Sequence, residues 1–447
     1  MKKSMLFCLC LVPLLAWALD QPATPTEYWS QWRGPLATGA APYSTPPIAW
    51  SETENIRWKV AIPGQGHASP IVWGNRVFVL TAIQTEESFA QEKPAAEEAA
   101  SPSNRWRPNP SKPGHVYRFE ILALDRQNGT ILWQRTARKE VPNAGTHQDG
   151  SWAPASPLSD GERVYAYFGS HGLYCYDMEG QFLWSLDLGD MSTRYSFGEG
   201  SSPALHGDTI VVNWDHEEES FIVALDVRTG AERWRVARAE RTSWSTPLIV
   251  DHAGRTQVIV NATNRIRSYD LASGEQIWEC AGMTVNTIPT PVATDGIVYL
   301  MSGFRGNALL AIRLADAKGD ITGTGSIVWS YDRDTPYVPS PLLYDDALYF
   351  LKGNNGILSS LDTKTGTEHF GPQRLKGIEG IYASPVGADS RIYITGRNGT
   401  TLVLKHSPKY EILSSNVLDD KFSASPAIAG NEIFLRGEHA LYCIAQD

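Results

Sequence analysis

The chain has 447 residues, of which 42% are hydrophobic and 20% are charged, so it can bury a large core and is not disordered as a whole. Its formal net charge of −10 argues against nucleic acid as the main partner, because binding the phosphate backbone requires a cationic face. The 38 glycines and 28 prolines, which lie throughout the chain, favour many short strands over long helices.

The N-terminal residues divide into a predicted export signal, 1–18, and a predicted extended segment, 19–55. Lys2 and Lys3 precede an apolar run that ends at Leu15, and Ala18 closes a small–any–small cleavage pattern. The run is shorter than the roughly 20 apolar residues of a membrane-spanning helix. We therefore expect cleavage near Ala18, a mature protein in the periplasm or outside the cell, and no membrane span.

A hydroxyl residue followed by proline recurs eight times along the rest of the chain. The pairs begin at Ser69, Ser156, Ser202, Thr246, Thr290, Ser340, Ser384 and Ser425. Successive prolines are 41 to 50 residues apart, except for a first interval of 87 residues. We predict that this interval holds one repeat with an exposed insertion at residues 83–116, positioned to cover one mouth of a central channel.

Each repeat carries the same series of strand and turn signals. Alternating apolar residues lead into Ala224-Leu-Asp226, a turn follows at Gly230, and the next strand carries Trp234, with counterparts in most other repeats. The aspartate is predicted to bond turn amides before a glycine of positive φ, and the tryptophan to pack between neighbouring units. Four strands in about 44 residues are typical of a propeller blade.

The repeat count predicts an all-β fold, an eight-bladed β-propeller of four-stranded antiparallel blades spanning residues 56–447. The last repeat has room for only three strands. The segment Ile56–Val60, which contains Trp58, precedes the first Ser-Pro pair and supplies the missing strand. We predict that this N-terminal strand completes the C-terminal blade and so closes the ring, which removes two exposed sheet edges.

The cysteines that follow the predicted signal are Cys175, Cys280 and Cys443. Such a small, odd set does not form a disulfide framework. Cys175 and Cys443 occupy equivalent third strands of blades 2 and 8, with blade 1 between them, which exceeds the ~7 Å Cα separation that a disulfide permits. We therefore expect buried free thiols.

The connectivity of such a blade places two sets of loops on one face. The links between blades share a face with the turns between second and third strands, so both surround one mouth of the channel. We predict that this mouth is the binding face. Its candidate residues are His67, His147, Trp152, Tyr195, Glu199, Trp244, Asn286, Arg305, Tyr337, Asn354, Tyr382 and Arg397.

The repeats resemble the PQQ-like β-propeller family, which includes the outer-membrane assembly factor BamB and the quinoprotein dehydrogenases. The resemblance rests on Ala224–Trp234 and its copies and covers residues 56–447. The stretches Trp29–Pro35 and Gly64–Pro70 look like those of a narrower group of exported bacterial proteins with these repeats. The resemblance implies the fold, whereas BamB-like members are scaffolds that need no quinone.

The dehydrogenase branch of the family implies a different set of residues. Those enzymes use calcium, a general-base aspartate, glutamate and asparagine ligands, and usually an adjacent cysteine pair against the quinone. Glu199 and Asn286 lie in predicted mouth loops, but the mature chain has no adjacent cysteine pair and no aspartate that matches the motif. We therefore expect no cofactor and keep PQQ with calcium as the alternative.

Metal and hydrolytic chemistry receive little support from the sequence. No histidine or cysteine spacing matches a metal motif, so we expect no metal site. The acidic turn at residues 213–219 is interpreted as solvated, and Glu199 with Asp215 is the one acid pair suited to glycan cleavage.

The leading hypothesis is a cell-envelope scaffold, BamB-like, that binds a protein or saccharide partner at the channel mouth. The alternatives are a PQQ-dependent quinoprotein oxidoreductase and, more weakly, a glycan-binding or glycan-cleaving propeller. Catalytic residues and the oligomeric state are left open.

Overall fold

The computed structural model describes residues 25–89 and 113–446, and it is an eight-bladed β-propeller, as the sequence predicts. The predicted signal, residues 1–18, lies outside the described residues. Helical structure in the described ranges is confined to 3₁₀ turns, none of which has the length and apolarity of a bilayer-crossing helix. These turns are Pro25–Glu27, Gly169–His171, Arg194–Ser196 and Leu314–Asp316.

The first four blades follow one another in chain order. Blade 1 contains Ile71–Trp73, Arg76–Ser88, His115–Asp125 and Ile131–Glu140. Blade 2 contains Leu158–Ser159, Arg163–Tyr167, Leu173–Asp177 and Phe182–Leu186. Blade 3 contains Ala204–His206, Thr209–Trp214, Phe221–Asp226 and Glu232–Ala237. Blade 4 contains Leu248–His252, Arg255–Val260, Ile266–Asp270 and Gln276–Cys280, with Gly319–Asp320 added in parallel as a short fifth strand.

The remaining blades continue the ring. Blade 5 contains Val292–Thr294, Ile297–Ser302, Ala308–Arg313 and Ile327–Tyr331. Blade 6 contains Leu342–Tyr344, Ala347–Leu351, Ile357–Asp362 and Glu368–Arg374. Blade 7 contains Val386–Ala388, Arg391–Thr395, Thr400–Lys405 and Ile412–Val417. Blade 8 contains Ala427–Ala429, Glu432–Arg436, Ala440–Ala445 and the N-terminal strand Ile56–Ala61.

The ring closes as predicted, through the N-terminal strand. Ile56–Ala61 pairs antiparallel with Ala440–Ala445, and Trp58 lies opposite Cys443. Glu432 of blade 8 is 4% exposed and forms ion pairs with Arg57 of the closing strand and Arg126 of blade 1. One buried carboxylate therefore joins the closing strand to the blades on both sides of the closure.

On the outer side of the ring, a tryptophan of each regular blade packs against the turn of the next blade. The indole Nε1 of Trp184 donates to the carbonyl of Val227 (3.2 Å), and its ring covers Gly230 so closely that a Cβ there would lie 2.6 Å from a ring carbon. Asp226 accepts turn amides before this glycine, whose φ is 69°. The predicted roles of the repeated Trp, Asp and Gly are confirmed.

On the inner side, the hydroxyl residue of seven of the eight Ser-Pro or Thr-Pro pairs accepts a hydrogen bond from the preceding blade. The Ser202 amide donates to Thr246 Oγ1 (2.9 Å), and six equivalent bonds join other neighbouring pairs, including the one from the Ser425 amide back to Ser69 Oγ (3.1 Å). Thr290 is the exception, because its Oγ1 instead accepts the indole N–H of Trp32 (2.9 Å). These side chains form a hydroxyl ring around the channel.

Residues 29–45, which follow no repeat pattern, cross the channel at the end opposite the predicted binding mouth. The segment forms backbone hydrogen bonds with the first strands of several blades, including Val72, Leu343, Gly387 and Gly430. Its Arg33 is 1% exposed and donates through Nη2 to the carbonyls of Pro341 and Pro385 (both 2.8 Å). The segment is therefore a plug that closes one end of the channel.

Two further predictions concern the insertion and the cysteines. Residues 83–88 and 115–116 of the predicted insertion belong to the long strands of blade 1, where Ser88 pairs with His115, so the strands reach further than predicted. Residues 90–112 lie outside the described residues. Cys175, Cys280 and Cys443 are buried and free, as predicted.

The closure can be tested through Glu432. The variant Glu432→Gln leaves two partly buried arginines without their carboxylate, so we expect the free energy of unfolding to fall by about 2 kcal/mol. Urea unfolding followed by tryptophan fluorescence measures the change. The matched control is Glu179→Gln, which removes an exposed pair with Arg76 and should change stability by less than about 0.5 kcal/mol. Equal effects of the two substitutions would contradict the role of Glu432.

Candidate functional site

The channel mouth opposite the plug contains a cavity of about 650 Å³. Loops between blades and turns between second and third strands form its wall, Trp32 of the plug lies at its floor, and six residues of the hydroxyl ring line it. Its volume falls within the range of about 300–1,000 Å³ that is typical of small-molecule sites. The cavity is thus open to solvent at one end of the channel and closed by the plug at the other.

Most of the residues predicted for the binding face line this cavity. Ten of the twelve do so: His67, His147, Tyr195, Glu199, Trp244, Asn286, Arg305, Tyr337, Asn354 and Tyr382. Arg397 lies behind Tyr382, with its guanidinium 4.5 Å from the ring centroid. Trp152 packs on Tyr117 and donates its indole N–H to the carbonyl of Ala144, so it supports the wall instead of lining it.

One side of the cavity is organised around Asp149, which the sequence analysis did not single out. Its carboxylate accepts Arg397 Nη2 (2.9 Å) and the Tyr382 hydroxyl (3.0 Å), while its amide donates to Nδ1 of His147 (3.1 Å). Burial favours a higher pKa for Asp149, but the bonds from Arg397 and Tyr382 outweigh it and hold the pKa below its usual value. The charge of Asp149 is therefore already neutralised by Arg397.

The opposite side of the cavity is built around Arg194, whose Nη1 donates to Asn286 Oδ1 (3.1 Å). Asn286 is buried, and burial raises the pKa of neighbouring Tyr337 while bonding to Asn286 and the charge of Arg194 oppose that rise. The Tyr337 ring stacks on Phe304 at 4.7 Å, and the guanidinium of Arg305 lies 5.3 Å from the Phe304 centroid. Two arginines and two aromatic rings thus form one continuous cluster.

Backbone conformation is strained at several of these positions. Tyr195, Asn286 and Arg305 have φ values of 54°, 57° and 54°, in the left-handed region that favours glycine. Non-glycine residues in this region cost about 1–3 kcal/mol each and concentrate at functional sites. Each of these residues lies in a different mouth loop.

The structure does not bring the two acids considered for glycan cleavage together in the cavity. Asp215 has a fully buried side chain that pairs with Arg238 (2.7 Å) and accepts the Ser243 hydroxyl (2.5 Å). The carboxylate of Glu199 accepts the amide (2.9 Å) and hydroxyl (2.5 Å) of Ser170, and burial raises its pKa. The acidic turn is also not solvated throughout, because Asn213, Asp215 and His216 are buried.

The residues expected for calcium are likewise engaged elsewhere. Both oxygens of Glu199 bond to Ser170, and the amide oxygen of Asn286 bonds to Arg194. Among the described residues, no cluster of three or more His, Cys, Asp or Glu side chains is placed to hold a metal. The donor set of the mouth therefore does not fit the calcium and quinone arrangement that the dehydrogenase resemblance implies.

Sequence reasoning missed four residues that shape the cavity: Trp32, Asp149, Arg194 and Phe304. Trp32 belongs to the Trp29–Pro35 stretch noted in the sequence. Its position at the channel axis depends on contacts that do not repeat along the chain, so the repeat pattern could not predict it. Arg194, Asp149 and Phe304 each lie within two residues of a predicted site residue. Extending each predicted loop by two residues would have included them.

The electrostatics of the cavity predict a pH dependence of stability through His67. Burial, together with Arg397 and Arg436, lowers the pKa of His67 from 6.5 to about 4. Between these two values the unfolded chain binds a proton that the folded chain does not, so this contribution is lost as the pH falls. From pH 7 to pH 5, urea unfolding should show a loss of stability about 2 kcal/mol larger for the native protein than for His67→Asn. All other titrating groups are common to both proteins, and equal losses would contradict the assignment.

Similar structures support the architecture at low sequence identity. BamB from Moraxella catarrhalis is 16% identical with a TM-score of 0.52, over 82% of this chain and 100% of that chain. A europium-containing methanol dehydrogenase is 10% identical with a TM-score of 0.61, over 93% and 90%. Quinohemoprotein alcohol dehydrogenase from Comamonas testosteroni is 9% identical with a TM-score of 0.60, over 95% and 81%. At these identities the likeness shows the fold alone.

The sequence itself matches a known family. No curated protein sequence matches the chain. The family profile described as outer membrane protein assembly factor BamB matches residues 44–179, 114–318 and 262–376, which together span most of the propeller. This chain therefore belongs to the BamB family of PQQ-like β-propellers.

Proposed function

We propose that this protein is a binding scaffold of the cell envelope that takes its ligand or partner in the cavity at the channel mouth. The observation that carries the proposal is the cavity of about 650 Å³, which is closed from below by Trp32 and walled by aromatic side chains. Such concave, largely apolar sites with a few fixed polar groups are the usual form of ligand pockets.

The walls are held in place before any ligand binds. Trp244 donates its indole N–H to the carbonyl of Gly198 (2.8 Å), and the His147 amide donates to the carbonyl of Phe197 (3.0 Å), which joins the loops of successive blades. Tyr382 is fixed by Asp149, and Tyr337 is fixed on Phe304. A preorganised wall reduces the entropy lost on binding, and this favours recognition through this face.

The family supports the scaffold role and the envelope location. The matching profile and one of the similar structures are described as BamB, an outer membrane assembly factor. A role in the envelope agrees with the export signal that residues 1–18 predict. Saccharide recognition is retained as one form that the partner can take, since aromatic walls suit sugars as well as peptides.

A PQQ-dependent dehydrogenase is less well supported. The similar dehydrogenase structures share the propeller, but a shared fold does not carry a shared activity. Glu199 and Asn286 bond to other side chains, and the three buried cysteines lie in different blades. We therefore assign no catalytic step to these residues.

The binding role predicts that wall residues determine affinity. In affinity capture from envelope extract, followed by titration of the purified partner, Trp244→Ala and Tyr337→Ala should each weaken binding at least about tenfold, because both remove a large aromatic contact. Circular dichroism verifies folding of both variants. The matched control is Phe182→Ala on the outer strand of blade 2, where the ring is 58% exposed, and its affinity should equal that of the native protein. An affinity that no mouth substitution changes would contradict the proposal.

The oxidoreductase alternative has its own test. We expect no dye reduction when the purified protein is incubated with PQQ, Ca²⁺ and alcohols or sugars, because the donors that would hold the calcium are bonded elsewhere. Spectrophotometric dye reduction measures turnover, and omission of PQQ is the control. Saturable, substrate-dependent turnover would replace the scaffold proposal with an enzymatic one.

A further inference from the structure

The cavity is cationic although the chain as a whole has a formal net charge of −10. Two carboxyl and two guanidinium side chains line it: Asp149, Glu199, Arg194 and Arg305. Asp149 is neutralised by Arg397, and the buried carboxyl of Glu199 is turned to Ser170 with its pKa raised. Within the described part of the chain, neither Arg194 nor Arg305 forms an ion pair.

From this imbalance we propose that the ligand at the mouth carries an oxyanion, a carboxylate, phosphate or sulfate, that binds between Arg194 and Arg305. The inference deepens the proposed function and rests on it. Arginine presents a planar fork of N–H donors that fits the two oxygens of such groups, and Nη1 of Arg194 is held in place by Asn286. Tyr337 and Phe304 lie between the two arginines and would contact the apolar part of the ligand.

The floor of the cavity also favours oxyanions. Six hydroxyls of the ring line it, those of Ser202, Thr246, Thr290, Ser340, Ser384 and Ser425. Each oxygen already accepts an N–H group, and none of the six donates a hydrogen bond to another group in the described ranges. Their protons therefore remain available to acceptors in the cavity.

Arg33 adds positive charge directly below this floor. Its Nη2 bonds to the carbonyls that follow Ser340 and Ser384, whereas its Nε and Nη1 are buried without a hydrogen-bond partner. No carboxylate pairs with it among the described residues, and burial lowers its pKa to about 9. An uncompensated buried cation is unfavourable for stability, and a nearby anion offsets part of that cost.

A titration with defined probes tests the proposal. Benzoate, phenyl phosphate and phenyl sulfate share a ring with neutral benzamide, so the comparison isolates the charged group and distinguishes the three oxyanions. Isothermal titration, with quenching of tryptophan fluorescence as a second readout, should show at least one anionic probe binding about tenfold or more tightly than benzamide. Its affinity should fall as the salt concentration rises.

Substitutions at the two arginines locate the anion. Arg194→Gln and Arg305→Gln should each reduce affinity for the anionic probe about tenfold and leave benzamide unchanged. The matched control is Arg333→Gln, because Arg333 is exposed, pairs with Glu368 and does not line the cavity. Neither mouth arginine is fully buried, so both variants should fold, and the thermal midpoint verifies this.

The outcomes separate this inference from the proposed function. Equal binding of benzamide and the anions, anion binding unchanged by both arginine substitutions, or no binding of any anionic probe would overturn the anion assignment. The scaffold proposal survives those outcomes if Trp244→Ala and Tyr337→Ala still weaken the purified partner. If the partner is indifferent to every mouth substitution, the proposed function fails, whatever the probes show.

Discussion

Most blades of this propeller are held to the next at two distances from the channel axis, and this double attachment determines the rest of the structure. On the outside, a tryptophan lies flat on a glycine that has no Cβ to displace it, as Trp184 does on Gly230. On the inside, an amide donates to a hydroxyl of the following blade, as Ser202 does to Thr246. Since both contacts recur with the period of the chain, the ring has one geometry and requires no disulfide.

Those contacts were visible in the sequence because they repeat. Eight hydroxyl–proline pairs and the Asp, Gly and Trp positions were sufficient to predict the blade number, the closing strand and the face on which each loop lies. The closing strand follows the same pattern, because Trp58 donates to the Arg126 carbonyl of the next blade, as Trp184 does to the carbonyl of Val227. Loops assigned to one face by connectivity alone converge on one cavity, which contains ten of the twelve predicted residues.

Structural features that do not repeat along the chain could not be predicted from the sequence. The plug approaches several blades through single contacts, such as that of Trp32 with Thr290, and no pattern in residues 29–45 indicates which blades it reaches. Asp149 pairs with Arg397 from 248 positions away, so the sequence cannot show which mouth charges are neutralised. The net charge of the cavity depends on that pairing, and the sequence does not distinguish an arginine in an ion pair from one without a partner.

The contacts that repeat between blades stabilise the ring, whereas the plug and the mouth loops, which do not repeat, form the cavity. The repeated contacts use the tryptophans and the hydroxyl oxygens, and they leave the hydroxyl protons and the mouth loops to line the cavity. The plug then converts an open channel into a cavity and places the unpaired charge of Arg33 beneath its floor. Through Nη2 Arg33 attaches the plug to the carbonyls of Pro341 and Pro385, while its Nε and Nη1 are buried without a partner. The same residue therefore fixes the plug and adds positive potential beneath the cavity, in the same direction as Arg194 and Arg305.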